Sequence, residues 1–129
     1  MNTTLFILFA LIFLILDIAW IQIFSIMFGP MIAKIQNAPM IVNKYAALAA
    51  YIVMIISYYF IIFIDQSNPP SYFKAAILGF AIYGTYEFTN MTTFKNWDLN
   101  VLIIDISWGV FVSVFSLYLA NQTKSYLSL

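Results

Sequence analysis

The sequence predicts an all-α integral membrane protein, a bundle of four transmembrane helices. Of its 129 residues, 64% are hydrophobic and 8% are charged, and the apolar residues form four long continuous runs. Soluble domains carry about 25% charged residues. Because the runs do not alternate with a period of two, they indicate helices rather than a β-barrel.

Each run is long enough for a helix to cross a hydrocarbon core of about 30 Å, which takes roughly 20 residues. The expected spans cover residues 4–28, 43–64, 71–88 and 99–120 of a single domain, residues 1–129. The first run is expected to be retained, because no lysine precedes it and no small-x-small cleavage site follows it. Four spans make a multi-pass protein with both termini on one side of the membrane. The lysine distribution leaves the orientation open.

Glycine and proline mark the expected helix ends. Gly29-Pro30 is expected to stop the first helix, and Pro69-Pro70 is expected to lie in the first turn of the third, where proline is tolerated. The apolar loop 29–42 is expected to lie along the membrane interface.

The residue types that are missing exclude several kinds of chemistry. The chain has no cysteine, no histidine and no arginine, so disulfides, thiolate metal sites, histidine bases and guanidinium clamps are excluded. No metal site and no cofactor are predicted. The formal net charge is zero, and no basic face for nucleic acid is present.

Two aspartates interrupt apolar runs with the same local pattern. Asp17 lies in LDIAW, Asp105 lies in IIDISWG, and each is followed at i+3 by a tryptophan, Trp20 or Trp108. An acid inside a bilayer costs about 2.5–3.5 kcal/mol, so it is normally paired, protonated or exposed to a polar cavity. Two interpretations stay open: the aspartates hydrogen-bond neighbouring helices, or they line a polar cavity. The tryptophans are expected to fill space beside them on the same helix face.

The densest polar segment is YGTYEFTN, residues 83–90. Gly79, Tyr83 and Glu87 are four residues apart and form one stripe of a helix. Ala76, Gly79 and Gly84 would let another helix approach closely. The stripe therefore indicates a packed face that ends in a carboxylate, although solvation of Glu87 at the helix end is an alternative.

Lysine is the expected partner of Asp105. Asp105 lies about 9 Å below the boundary of its span, and Lys95 or Lys44 would reach it along an apolar stem. Asn90 and Glu87 would complete that network. Trp97 is expected to face the interface, and the aromatic segment 57–60 is expected to face lipid.

The segment YGTYEFTNMTTFKNW followed by DISWG resembles a bacterial membrane-protein family, domain of unknown function 2177. That family has an Asp-x-x-Trp in its first span, a Tyr-Gly-Thr-Tyr-Asp/Glu-x-Thr-Asn stretch that leads into Lys and Trp, and a final Asp-x-x-Trp-Gly. The matching positions are Asp17, Trp20, Tyr83, Gly84, Thr85, Tyr86, Glu87, Thr89, Asn90, Lys95, Trp97, Asp105, Trp108 and Gly109. The sequence departs from the family in having no arginine and in having Glu87 where many relatives have aspartate. The resemblance implies one deliberate polar cluster and, because relatives often lie beside genes for fatty-acyl-modifying enzymes, a lipid-linked role.

The leading functional expectation is a polar, ion-paired pocket near one interface that binds or helps process a membrane lipid or another amphiphile. The predicted pocket comprises Asp17, Tyr83, Tyr86, Glu87, Thr89, Asn90, Lys95, Asp105 and Trp108. A proton or small-solute pathway and a structural or assembly role are the alternatives, and homo-oligomerisation stays open. An enzymatic activity is the hardest to support, because no activated nucleophile is visible.

Overall fold

A computed structural model describes residues 2–129, and within them the chain forms four α-helices and no strand. These are α1 (Asn2–Gln36), α2 (Lys44–Tyr58), α3 (Tyr72–Thr93) and α4 (Leu99–Tyr126), and a π-helical segment, Tyr59–Phe63, continues α2. The predicted all-α bundle is confirmed.

The described chain contains three segments that are long and apolar enough to cross a membrane. They are Asn2–Gln36, Lys44–Phe63 and Leu99–Tyr126. The remaining helix, α3, has 22 residues and is about 33 Å long, but its second half carries the polar YGTYEFTN segment. The structure therefore supports a membrane location, and the fourth crossing remains a prediction.

Pro30 does not end α1, contrary to the expectation from Gly29-Pro30. Proline removes one intrahelical hydrogen bond, but the helix continues without a break to Gln36. It ends where Asn37 takes a left-handed conformation, φ 54°, and the Ala38 amide donates to the Ala33 carbonyl at 3.2 Å. This six-residue closure is a Schellman ending, so the first half of the predicted loop is helical.

The other helices begin at side-chain caps. Asn43, Ser71 and Asp98 have extended backbones, and their side chains accept hydrogen bonds from amides in the first turns of α2, α3 and α4. Such caps satisfy amides that have no partner within the helix. Pro69 and Pro70 thus precede the cap of α3 instead of lying in its first turn, because Ser71, the residue after them, caps the helix.

Helix α4 is the centre of the bundle and packs along both α3 and α1. Its contact with α3 is close at Gly79, where an added Cβ would collide with the Gly109 carbonyl and the Ser113 side chain. The expectation for Gly79 is confirmed, whereas a Cβ at Gly84 would make an ordinary 4.0 Å contact with Ile106. Gly79 is thus the glycine of α3 that allows the close approach between α3 and α4.

Helix α2 packs mainly through its π-helical end. Tyr58 is fully buried and its hydroxyl is hydrogen-bonded to Ser113, so segment 57–60 is not simply a lipid-facing belt as expected. Around Tyr58 the aromatic rings of Phe9, Phe13 and Phe63 form the core. The rest of α2 contacts the bundle much less, which leaves space beside it.

Polar contacts define the two ends of the bundle. At one end, the Asn2 side chain donates to the backbone carbonyls of Asp65 and Asn68, and Asn121 donates to the Tyr72 hydroxyl at 2.8 Å.

At the other end of the bundle the Asp98 amide, just before α4, donates to the sulfur of Met31 in α1 at 3.3 Å. Met40, before α2, lies beside Gly29 of α1. Consecutive helices therefore run in opposite directions.

Candidate functional site

The two Asp-Ile-x-Trp segments meet across the interface between α1 and α4. The Trp108 indole donates to Asp17 at 2.9 Å, and the Trp20 indole donates to Asp105 at 3.2 Å. The two indoles stack with centroids 4.6 Å apart and planes within 8°. Because the helices are antiparallel, one repeated spacing lets each tryptophan reach the aspartate of the other helix. We call these four residues the crossed pair.

Asp17 receives two further hydrogen bonds from tyrosines of α2 and α3. Tyr51 donates to one carboxylate oxygen at 2.8 Å, and Tyr83 donates to the other at 2.6 Å. Tyr83 reaches this position because Gly109 leaves room for its ring, which a Cβ there would strike. With the Trp108 indole, these donors satisfy a carboxylate that is 3% exposed, as buried acceptors require.

Glu87 and Asp105 form the second half of the acidic site. Glu87 is 1% exposed and Asp105 is 8% exposed, and their carboxyl groups are in hydrogen-bonding contact. The Trp97 indole donates to Glu87 at 2.8 Å. Trp97 is therefore buried rather than facing the interface as expected, because the turn before α4 directs its indole inward. Glu87 is buried as well, so the alternative that it is solvated at the end of its helix is wrong.

A cleft of about 470 Å³ opens beside these acids, between α1, α2 and α3. Its polar floor contains Asp17, Glu87 and Asp105, which we call the acid cluster. Its walls are apolar and aromatic: Trp20, Ile21, Phe24, Phe28, Ala47, Ala50, Val53, Met54 and Ile82. The cleft exists because the first part of α2 stands away from the bundle. Its volume lies in the range of small-molecule sites, about 300–1,000 Å³.

The structure gathers most, but not all, of the residues predicted for the pocket. The cleft is lined by Asp17, Tyr83, Tyr86, Glu87 and Asp105. Trp108 does not line the cleft, but its indole donates a hydrogen bond to Asp17.

Three predicted residues lie elsewhere. Thr89 faces a shallow surface recess, and Asn90 lies in a small recess with Gln36. Lys95 is exposed in an open recess beside Lys34.

The lysine partner expected for Asp105 is not found. Among residues 2–129, neither Lys44 nor Lys95 forms an ion pair with Asp105, and both side chains are exposed. Neutral donors take the place of the lysine, because a buried indole N–H needs an acceptor and brings no second charge to desolvate.

Sequence reasoning missed three donors of the site: Tyr51, Trp20 and Trp97. The Asp-Ile-x-Trp repeat was a usable signal for Trp20, since a repeated acid–donor spacing on antiparallel helices allows exchange of partners. Nothing around Tyr51 distinguished it from the other aromatic residues of α2. No group of three or more potential metal ligands occurs in the part of the chain that the structure describes.

Comparison with known proteins identifies a family. The family model described as "Predicted membrane protein (DUF2177)" matches residues 2–121, which include all four helix cores and the acid cluster. No curated protein and no solved structure shows significant similarity to the chain. The chain therefore belongs to domain of unknown function 2177, a family of predicted membrane proteins.

Proposed function

We propose that this protein binds an amphiphile from the bilayer in the cleft between α1, α2 and α3. The observation that carries the proposal is the combination of apolar walls with a floor of three buried carboxyl groups. Ligand sites are typically apolar cavities with a few placed polar groups that orient the ligand. An apolar chain would lie along the walls, and a polar head would meet the acid cluster.

The position of α2 supports entry from the side. Along Ala47–Met54 this helix lines the cleft, and its polar contact with the bundle there is the Tyr51 hydrogen bond to Asp17. Its firm packing is at Tyr58 and the π-helical segment. A ligand that separates Tyr51 from Asp17 would therefore displace one part of α2 while the other stays in place.

A proton or solute pathway is the less favoured function. From Asp17 towards the loop between α2 and α3, the core is occupied by Phe9, Phe13, Phe63 and Leu117. These side chains are almost fully buried, and proteins close-pack such interiors. A relay would need water in that layer, whereas a binding cleft needs only the opening beside α2.

Native mass spectrometry of the detergent-purified protein tests the proposal. Ala50→Phe places a ring in the cleft, and we expect it to remove a co-purifying or added amphiphile. Ala49→Phe makes the same change at an α2 residue that does not line the cleft and should leave binding intact. Equal ligand occupancy in the two variants, or no amphiphile bound to the unmodified protein, would contradict the proposal.

A further inference from the structure

We infer that the head group bound at the acid cluster is a protonated amine, so that the preferred ligand is a cationic amphiphile. The inference rests on the proposed function and adds the chemistry of the ligand to it. Two independent features support it, the aromatic residues that line the cleft and the hydrogen bonds of the acids at its floor.

The hydrogen-bond donors around the acid cluster already have acceptors within the protein. Within the described chain, Tyr51, Tyr83 and Trp108 donate to Asp17, Trp20 donates to Asp105, and Trp97 donates to Glu87. Each phenol or indole has a single hydrogen to donate. The carboxyl groups, with about four lone-pair positions each, therefore offer a ligand acceptors, and the ligand's polar group has to be a donor.

The contact between Glu87 and Asp105 favours a donor that carries charge. Ionised carboxyl groups are acceptors, so two of them in contact need a hydrogen between them. A shared proton supplies one, whereas an ammonium group supplies three N–H donors together with a positive charge. Such charge-assisted hydrogen bonds are about twice as strong as neutral ones.

The positive charge beside the acid cluster has to come from a ligand. Among residues 2–129, no lysine lines the cleft, and the chain has no arginine or histidine. An unpaired charge is costly in a low-dielectric interior, so a cation that enters the cleft gains more here than at an exposed acid. A carboxylate or phosphate head group would instead face like charges.

The walls of the cleft also suit a cation. Trp20, Trp97 and Tyr86 line it near the acids, and aromatic faces attract ammonium groups through the ring quadrupole. The apolar residues farther along α1 and α2 are suited to a hydrocarbon chain. The cleft therefore offers a cation site and an apolar site in one cavity.

Three amphiphiles with the same chain test the inference: dodecylamine, dodecanol and dodecanoic acid. Their binding is measured at pH 7 in one non-ionic detergent by thermal shift and tryptophan fluorescence titration. We expect the amine to bind about tenfold tighter than the alcohol, a ratio equivalent to about 1.4 kcal/mol, and the carboxylate to bind most weakly.

Matched variants assign the preference to the acid cluster. Glu87→Gln should bring amine affinity down to that of the alcohol while the alcohol still binds, which shows that the variant is folded. Asp65→Asn removes an exposed acid at the far end of the bundle and should leave the preference unchanged. Ala50→Phe should abolish binding of both ligands.

The outcomes separate this inference from the proposed function. Equal affinities for amine and alcohol, or tightest binding of the carboxylate, would overturn the amine inference and leave the cleft as an amphiphile site. An amine preference that survives in Ala50→Phe would overturn it too, because binding would lie outside the cleft. Failure of all three amphiphiles to bind would overturn the proposed function itself.

Discussion

Trp20 of α1 lies stacked on Trp108 of α4, with ring centroids 4.6 Å apart, and each indole donates its hydrogen to the aspartate on the other helix. The two aspartates that interrupt apolar runs are therefore partners in one interhelical contact. The arrangement satisfies the indole N–H groups and the carboxylates together. It also places Asp17 and Asp105 at the floor of the cleft. The interhelical hydrogen bonds agree with the first interpretation left open by the sequence, whereas the walls of the cleft are apolar instead of polar.

Tyrosine donors to Asp17 should contribute measurably to stability. We expect Tyr83→Phe to lower the free energy of unfolding by about 1–3 kcal/mol, because a buried acceptor loses one of its donors. The measurement is reversible unfolding in mixed micelles. Tyr118 is 47% exposed, and Tyr118→Phe should change stability by less than about 0.5 kcal/mol. Similar losses in the two variants would show that Tyr83 makes no special contact.

Long-range pairing explains what could and could not be predicted about the site. Burial of Asp17 and Asp105 was predictable because apolar flanks place them within spans. Their hydrogen-bond partners were not predictable, since Trp20 and Trp108 donate to acids 85 and 91 residues away in sequence. Lysine was the natural expectation from charge alone, but it was wrong because the nearest donors in space are aromatic.

The fold was more predictable than the helix ends. Continuous apolar runs predicted the helices, because backbone groups in lipid need internal partners. The end of α1 depends on the left-handed turn at Asn37 and not on Pro30. The composition of this segment did not indicate such a turn. The π-helical end of α2 depends on packing of Tyr58 and Phe63 against other helices, and local sequence carries no signal for it.

Gly79 and Gly84 provide a matched pair for helix packing. Gly79→Ala should destabilise the bundle by about 1–3 kcal/mol, because the new methyl group meets the α4 backbone and overpacking has this cost. Gly84→Ala should be neutral or stabilising by up to about 1 kcal/mol, because alanine is the better helix former. Unfolding in mixed micelles compares them directly. A larger loss for Gly84→Ala would contradict the packing described for α3 and α4.

The four-span topology is testable with single cysteines, because the chain has none of its own. We expect cysteines at Thr3, Ser67 and Ser125 to react with a membrane-impermeant maleimide from one side of sealed vesicles. Cysteines at Ala38 and Lys95 should react from the other side. If Lys95 labels with Ser67, α3 does not cross the membrane and the four-span prediction is wrong.

The loop between α2 and α3 contains an acid with a perturbed titration. The Asn68 side chain and the Ser67 amide hold the pKa of Asp65 below its usual value. A lowered pKa in the folded state stabilises the loop at pH values above the ordinary pKa, and that stabilisation is lost as pH falls through the folded pKa. NMR titration in micelles should show this, and Asn68→Ala should raise the pKa. An unchanged titration in Asn68→Ala would contradict the assigned cause.

The central claim is that aromatic donors, not lysines, hold the acids of the cleft. Double-mutant cycles in mixed micelles test it most directly, using Asp105→Leu with Trp20→Phe and Asp105→Leu with Lys95→Met. We predict a coupling energy of about 1 kcal/mol for Asp105 with Trp20, as for a typical intramolecular hydrogen bond. Asp105 and Lys95 should be additive within about 0.5 kcal/mol. Strong coupling of Asp105 to Lys95, with additivity for Trp20, would contradict the claim.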